Sequence, residues 1–175
     1  AAAEYYVATN GTGAGTSWPT AFSNLQQAME VAVDHSTIYV AGHTFLTTSQ
    51  VVWARSTNIT VRGGYEATNA TDVGSNNPSL WPTVIQRSGA FNHRILYLLG
   101  VTNGVLRDVT VTGGRLLSGT CRGGGVYVQN GVNVELLNCR VTNNAVGSDV
   151  NSAKEGGGLY WNNSIGVLKD CLISW

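Results

Sequence analysis

Three segments in the second half of this chain repeat one another. "GVLRDVTVT" (104–112) aligns without a gap on "GVLKDCLIS" (166–174), and "VELLNCRVT" (134–142) falls between them. Down the columns, Leu106, Leu136 and Leu168 coincide, then Asp108, Asn138 and Asp170, then Val109, Cys139 and Cys171, then Val111, Val141 and Ile173. The offsets are 30 and 32 residues. A second set, "GGGVYVQN" (123–130) over "GGGLYWNN" (156–163), places Val126 on Leu159, Tyr127 on Tyr160 and Asn130 on Asn163 at an offset of 33. Self-similarity at such a period marks an architecture whose units bury apolar side chains only by stacking on their neighbours.

The spacing inside the repeat says what the unit is. Leu106 and Val109 are three apart, whereas Val109 and Val111 are two apart. A flat strand would therefore send one of them outward. A bend at Asp108 resets the parity, and Asn and Asp tolerate the left-handed backbone that such a bend needs. Strand, bend, strand and loop in register make one coil of a parallel β-solenoid.

Earlier segments fit the same reading. "STIYVAGHTF" (36–45), "NITVRGGY" (58–65), "TVIQ" (83–86) and "RILYLLG" (94–100) are short apolar runs bounded by Gly and Asn. Ahead of them, Tyr5 to Val7 reads as a strand and "NGTGAGTSWP" as a loop. Phe22, Leu25, Ala28, Met29 and Val33 then recur at helical spacing, with Thr20 or Ser23 as N-cap. The expected fold is all-β: a right-handed parallel β-helix of about five or six coils, each adding roughly 4.8 Å, with an N-terminal amphipathic capping helix. Residues 1–35 hold the strand, Gly-rich loop and helix, and 36–175 hold the coils.

Composition narrows the function classes. Only 11% of residues are charged, and ten basic residues balance ten acidic ones, so no overall field favours nucleic acid or an anionic membrane. No stretch is apolar and long enough to span a bilayer. Low charge with abundant Gly, Asn, Thr, Ser and Val suits a secreted or cell-surface protein, and the small residues before Glu4 fit the vicinity of a signal-peptidase cut. Asn10, Asn58, Asn69 and Asn162 head Asn-x-Ser/Thr sequons, which are candidate glycosylation sites.

"YYVATNGTGAGTSWPTAFSNLQQAM", "STIYVAGHTF", "ITVRGGY" and the "GGGVYV…NCRVTNN" repeats together resemble the right-handed parallel β-helix repeat proteins of the pectate-lyase-like superfamily. The likeness is to the secreted or surface-attached bacterial members related to polymorphic outer-membrane and autotransporter passenger domains. It implies a fold that hosts lyases, hydrolases, adhesins and plain scaffolds.

Enzymes of that superfamily cluster carboxylates on one face, and no Asp-Asp or Asp-x-x-Asp pair occurs here. Asp108 and Asp170 are accounted for by bend geometry, while Arg107 and Lys169 point outward into solvent by parity. His35, His43 and His93 lack metal-ligand spacing. The expectation is therefore a non-enzymatic chain with no catalytic residues, no metal site and no cofactor. Cys139 and Cys171 share an inward column suited to a buried thiol ladder, and Cys121 lies in the loop before the "GGG" run, where the sequence leaves its exposure open.

Two insertions, "GGRLLSGTCR" (113–122) and "AVGSDVNSAKE" (145–155), lengthen successive coils at one point and should stack. Their charged residues Arg115, Arg122, Asp149, Lys154 and Glu155, with Trp81 of the long loop 66–82, are the candidate ligand-facing set. Trp53 and Trp161 are further aromatic candidates for a glycan groove. At the C-terminus Cys171, Ile173 and Trp175 close the last coil with nothing polar behind them. An uncovered coil is a template for further coils of a longer chain or for a second copy, with Tyr5, Tyr6 and Val7 as the donated strand. The function expected first is thus a non-catalytic extracellular structural or surface solenoid that either assembles end to end into a fibre or forms part of a longer surface protein. The alternatives are an adhesin or glycan-binding module and, third, a polysaccharide lyase or hydrolase.

Overall fold

A computed structural model describes residues 2–54, 56–147 and 153–174. Its strands are short and every strand-to-strand ladder in it is parallel. A first sheet of six strands holds, in order, β1 (Glu4–Val7), β2 (Thr37–Ala41), β5 (Thr60–Tyr65), β8 (Val105–Arg107), β13 (Val132–Leu137) and β18 (Ile165–Lys169). A second holds β4 (Val51–Ala54), β7 (Leu96–Leu99), β12 (Val126–Gln129) and β17 (Leu159–Asn162). The third holds β3 (Thr44–Thr47), β6 (Thr83–Arg87), β9 (Val109–Thr112), β14 (Arg140–Thr142) and β19 (Leu172–Ser174). From β2 onward the chain visits first, third and second sheet in turn and then repeats the circuit.

The repeat columns are the registers of these ladders. Leu136 pairs with Leu106 on one side and Leu168 on the other. Val141 lies between Val111 and Ile173, and Val126 lies between Leu96 and Leu159. Asp108, Asn138 and Asp170 have φ of 59°, 50° and 55°, so each turns the backbone through the left-handed region between the first and third sheets. That reversal sends Leu106, Val109 and Val111 into one core with Ile38, Val61, Ile85 and Leu98. Asn58, Asn103 and Asn133 form a second left-handed column, in which Asn103 Nδ2 donates to Asn58 Oδ1 and Asn133 Nδ2 to Asn103 Oδ1, both at 2.9 Å.

The single helix among the described residues, α1 (Leu25–Val31), is shorter than its spacing suggests. Its N-cap is Asn24 rather than Thr20 or Ser23: Asn24 Oδ1 accepts from Gln27 N at 3.1 Å, and Gln27 reaches back to Ser23 N. Ala32 turns extended and ends it, leaving Val33 more than half exposed outside the helix. Leu25 and Ala28 enter the core, and Gln26 Oε1 accepts from Val52 N at 2.7 Å on the edge strand β4. "STIYVAGHTF" is two strands, β2 and β3, separated at Gly42. A Cβ there would sit 2.3 Å from Trp81 Cβ, so the chain corners where glycine alone fits. The strand β4 is an addition to the elements read from the sequence.

Both insertions stack as expected. β10 (Arg115–Leu116) pairs with β15 (Ala145–Val146), and β11 (Cys121–Arg122) pairs with β16 (Lys154–Glu155).

Candidate functional site

The left-handed column opens onto a cleft of about 290 Å³, bounded by Pro78, Ser79 and Pro82 of the long loop and by Thr110 and Leu172 of the third sheet. On its floor, Asp108 is buried and fully engaged. Its Oδ2 lies 3.1 Å from Arg107 Nε and 3.6 Å from Arg62 Nε, and its Oδ1 accepts from Asn138 Nδ2 at 2.8 Å. Asp170 continues the column as an exposed carboxylate, and Arg140 adds an exposed guanidinium to the same cleft.

Beside the bend, Arg62 pairs in register with Arg107, Arg107 with Leu137, and Leu137 with Lys169, so three cations line up along the outer face of the first sheet. With Arg140 they number four against three carboxylates: Asp108, Asp170, and Glu135 two residues along the same face. The surplus is positive on a protein with zero net charge. Arg107 is not simply solvated as parity implied; it is held in an ion pair. Arg62 and Arg140 were not singled out from the sequence, because only the register brings them to one place.

A second polar arrangement lies on the outer face of the second sheet. Tyr97, Tyr127 and Tyr160 occupy successive strands in register, with centroids 5.2 and 5.5 Å apart. The guanidinium carbon of Arg94 lies 5.2 Å from the Tyr97 ring and 4.9 Å from the Tyr127 ring; that of Arg122 lies 5.4 Å from Tyr160. Arg122 Nε also donates to Glu155 Oε2 at 2.6 Å, which raises the arginine pKa; the Tyr160 hydrogen bond first, and this Arg122 bond second, lower the Glu155 carboxyl. Sequence reading found Tyr127 and Tyr160 but missed Tyr97, whose signal was the match of "ILYLL" to "VYV".

The other expected site residues are dispersed. Arg115 and Lys154 are exposed on the stacked insertions, Arg122 and Glu155 pair with each other, and Asp149 falls outside the described residues. Trp81 is half-buried against Gly42. Trp53 is a core residue, 4% exposed, and not a groove residue; Trp161 packs against the core with its Nε1 buried. Cys121 is buried. Cys139 and Cys171 donate to carbonyls of the preceding pass, Leu106 O and Leu136 O, at 3.4 and 3.2 Å, and burial pushes the Cys139 thiol up to about 12.

Tyr5, Tyr6 and Val7 are not a free strand: they pair with Ile38, Tyr39 and Val40, and Val7 is fully buried. Ile173 is 42% exposed, and Trp175 lies outside the described residues. Of the sequon residues, Asn58 has its amide committed to Asp34 and Asn103, and Asn162 donates to Tyr127 Oη. Asn10 is exposed, and Asn69 accepts from Thr71. No three metal-ligating side chains converge among the described residues, and no helix is long and apolar enough to cross a membrane.

No family model and no curated protein matches the chain. Among solved structures it is similar to a rhamnogalacturonan lyase, with a TM-score of 0.55 at 14% identity. The match covers 99% of this chain and 51% of the lyase, so the chain spans about half the length of that protein. Together with the all-parallel sheets, this supports a parallel β-helix fold. It also corrects the expectation of a non-enzymatic chain, because the structure that matches it nearly end to end is that of an enzyme.

Proposed function

We propose that this chain is a right-handed parallel β-helix of six coils, closed at its first coil by α1, which belongs to a secreted or surface-exposed protein and engages an acidic polysaccharide. Supporting the architecture are the repeated circuit through three sheets and the Gln26 bond to the edge of β4. The observation that carries the function is the row Arg62, Arg107 and Lys169 beside Arg140 and the Asp108–Asn138–Asp170 column. Neighbouring strands of a sheet lie about 4.8 Å apart, so groups on alternate coils are about 9.6 Å apart, a spacing that suits the repeated anionic units of an extended polymer. Exposed guanidinium and ammonium groups bind such carboxylates, and the side-chain amide of Asn138 and the free carboxylate of Asp170 accept or donate to hydroxyls.

A second reading, cleavage by elimination, is favoured by the activity that the matching structure's name states. Elimination requires one group that offsets the uronate carboxylate and another that removes the proton beside it. The cations beside the bend column suit the first task, and Lys169 on the adjoining face, in its neutral form, suits the second, with the sugar oxygen beta to the carboxylate departing as the double bond forms.

Both readings meet one experiment. Retention on polygalacturonate and rhamnogalacturonan is compared with retention on neutral dextran at low and high salt, while ultraviolet absorbance follows unsaturated product. Binding should be confined to the acidic polymers, weaken with salt and fall about tenfold in the double variant R140M/K169M. Equal retention on dextran would refute the acidic-glycan reading. Product that accumulates with the parent chain and not with the double variant would establish the lyase reading; binding without product would remove it.

A further inference from the structure

The tyrosine ladder poses a separate problem. Leu96, Leu98, Val126 and Val128 face the core, so the alternating residues Tyr97 and Tyr127 face outward. Against these rings lies Arg94, whose Nε is buried and has no hydrogen-bond partner among the described residues. No carboxylate among the described residues forms an ion pair with it. An arginine keeps its charge, so a half-buried guanidinium with an unmet donor is costly unless something satisfies it. One strand along, Arg122 is placed over Tyr160 in the same way but carries Glu155 at 2.6 Å. The ladder thus shows one completed arginine and one incomplete.

We propose that Arg94, seated against Tyr97 and Tyr127, is a binding position for a single oxyanion, the carboxylate or sulfate of an acidic sugar. The two rings hold the guanidinium plane in place, so little side-chain freedom is lost when an anion binds. The paired terminal Nη donors, which are not among the buried unpartnered atoms, suit a planar carboxylate or one edge of a sulfate. The Arg122–Glu155 pair is internally neutral, so among the described residues Arg94 is the cation of this ladder without a paired carboxylate. Burial also lowers the Arg94 pKa, as expected of a cation that lacks its counter-charge. The site lies on the second sheet, away from the Asp108 cleft; the sugar as source of the anion rests on the acidic-glycan reading, whereas the anion position stands on the geometry alone.

The test uses sodium sulfate, a galacturonate oligomer and its methyl ester, with thermal shift and isothermal titration as readouts. Parent protein, R94M, R94K, R122M and K169M are compared. The galacturonate oligomer should stabilise the parent, and R94M should bind it about tenfold or more weakly. R94K should recover part of that loss, and R122M should lose much less. The methyl ester should bind no better to the parent than to R94M. R94M removes an unsatisfied donor, so its circular dichroism and melting point should match or exceed those of the parent; should it fail to fold, R94K and R122M decide by the same ranking. Unchanged affinity in R94M, or equal binding of ester and acid, overturns the proposal. Binding of sulfate without the oligomer overturns the sugar as source. If K169M has no effect while R94M does, the cleft reading falls and the Arg94 position stands.

Discussion

Replacing Asp108 tests whether the bend column is held by backbone conformation or by charge. Three contributions meet at this residue. Its φ of 59° costs an L-residue without a short polar side chain about 1 kcal/mol. Its carboxylate takes one bond from Arg107 and one from Asn138, each worth about 1.5 kcal/mol, the low end for charged bonds because the Arg107 side chain is 39% exposed. Asp108→Ala removes all three and should cost about 4 kcal/mol. Asp108→Gly restores the backbone freedom and should cost about 3 kcal/mol. Asp108→Asn keeps the left-handed preference and the oxygen that Asn138 addresses, so about 1.5 kcal/mol should be lost with the charge. Urea unfolding followed by circular dichroism measures the series, provided the slope with denaturant is unchanged. The reasoning is refuted if Asp108→Ala lies within 1 kcal/mol of the parent, or if Asp108→Asn is as damaging as Asp108→Ala.

Two further outcomes follow from buried positions. Cys139 should resist alkylation at mildly alkaline pH in the native state and react once denaturant is added. The folded chain retains the thiol proton up to about 12 against an ordinary value of 9.0, so the stability Cys139 contributes is whole below about 9 and declines as pH rises towards 12. A Cys139→Val variant should lack that alkaline decline in its urea midpoint, and parallel profiles would refute the assignment. Gly63→Ala puts a methyl 2.4 Å from Asp108 O and 2.7 Å from Thr83 Cβ, so a loss of about 2 kcal/mol or more is expected on denaturant titration.

The sequence alone determined the repeat, its parallel register and the residues that turn each bend. That was possible because a stacked repeat writes one structural position many times: Leu106, Leu136 and Leu168 align in text as they align in the sheet. Short polar residues at the bends announce a left-handed backbone whatever surrounds them. Tertiary structure decided what the columns do sideways. Arg62 and Arg140 come from different sheets and are both brought near Asp108 only by the turn of the chain there, which no spacing within one segment encodes. That Arg94 has no carboxylate partner among the described residues is likewise a property of its surroundings, which a string of residues does not record. Trp53 reads as a surface aromatic until its strand is placed, and then it is core. Cys121 follows the same rule: its burial depends on the two insertions pairing strand to strand over it, and the energy that closes that contact is shared between segments more than thirty residues apart.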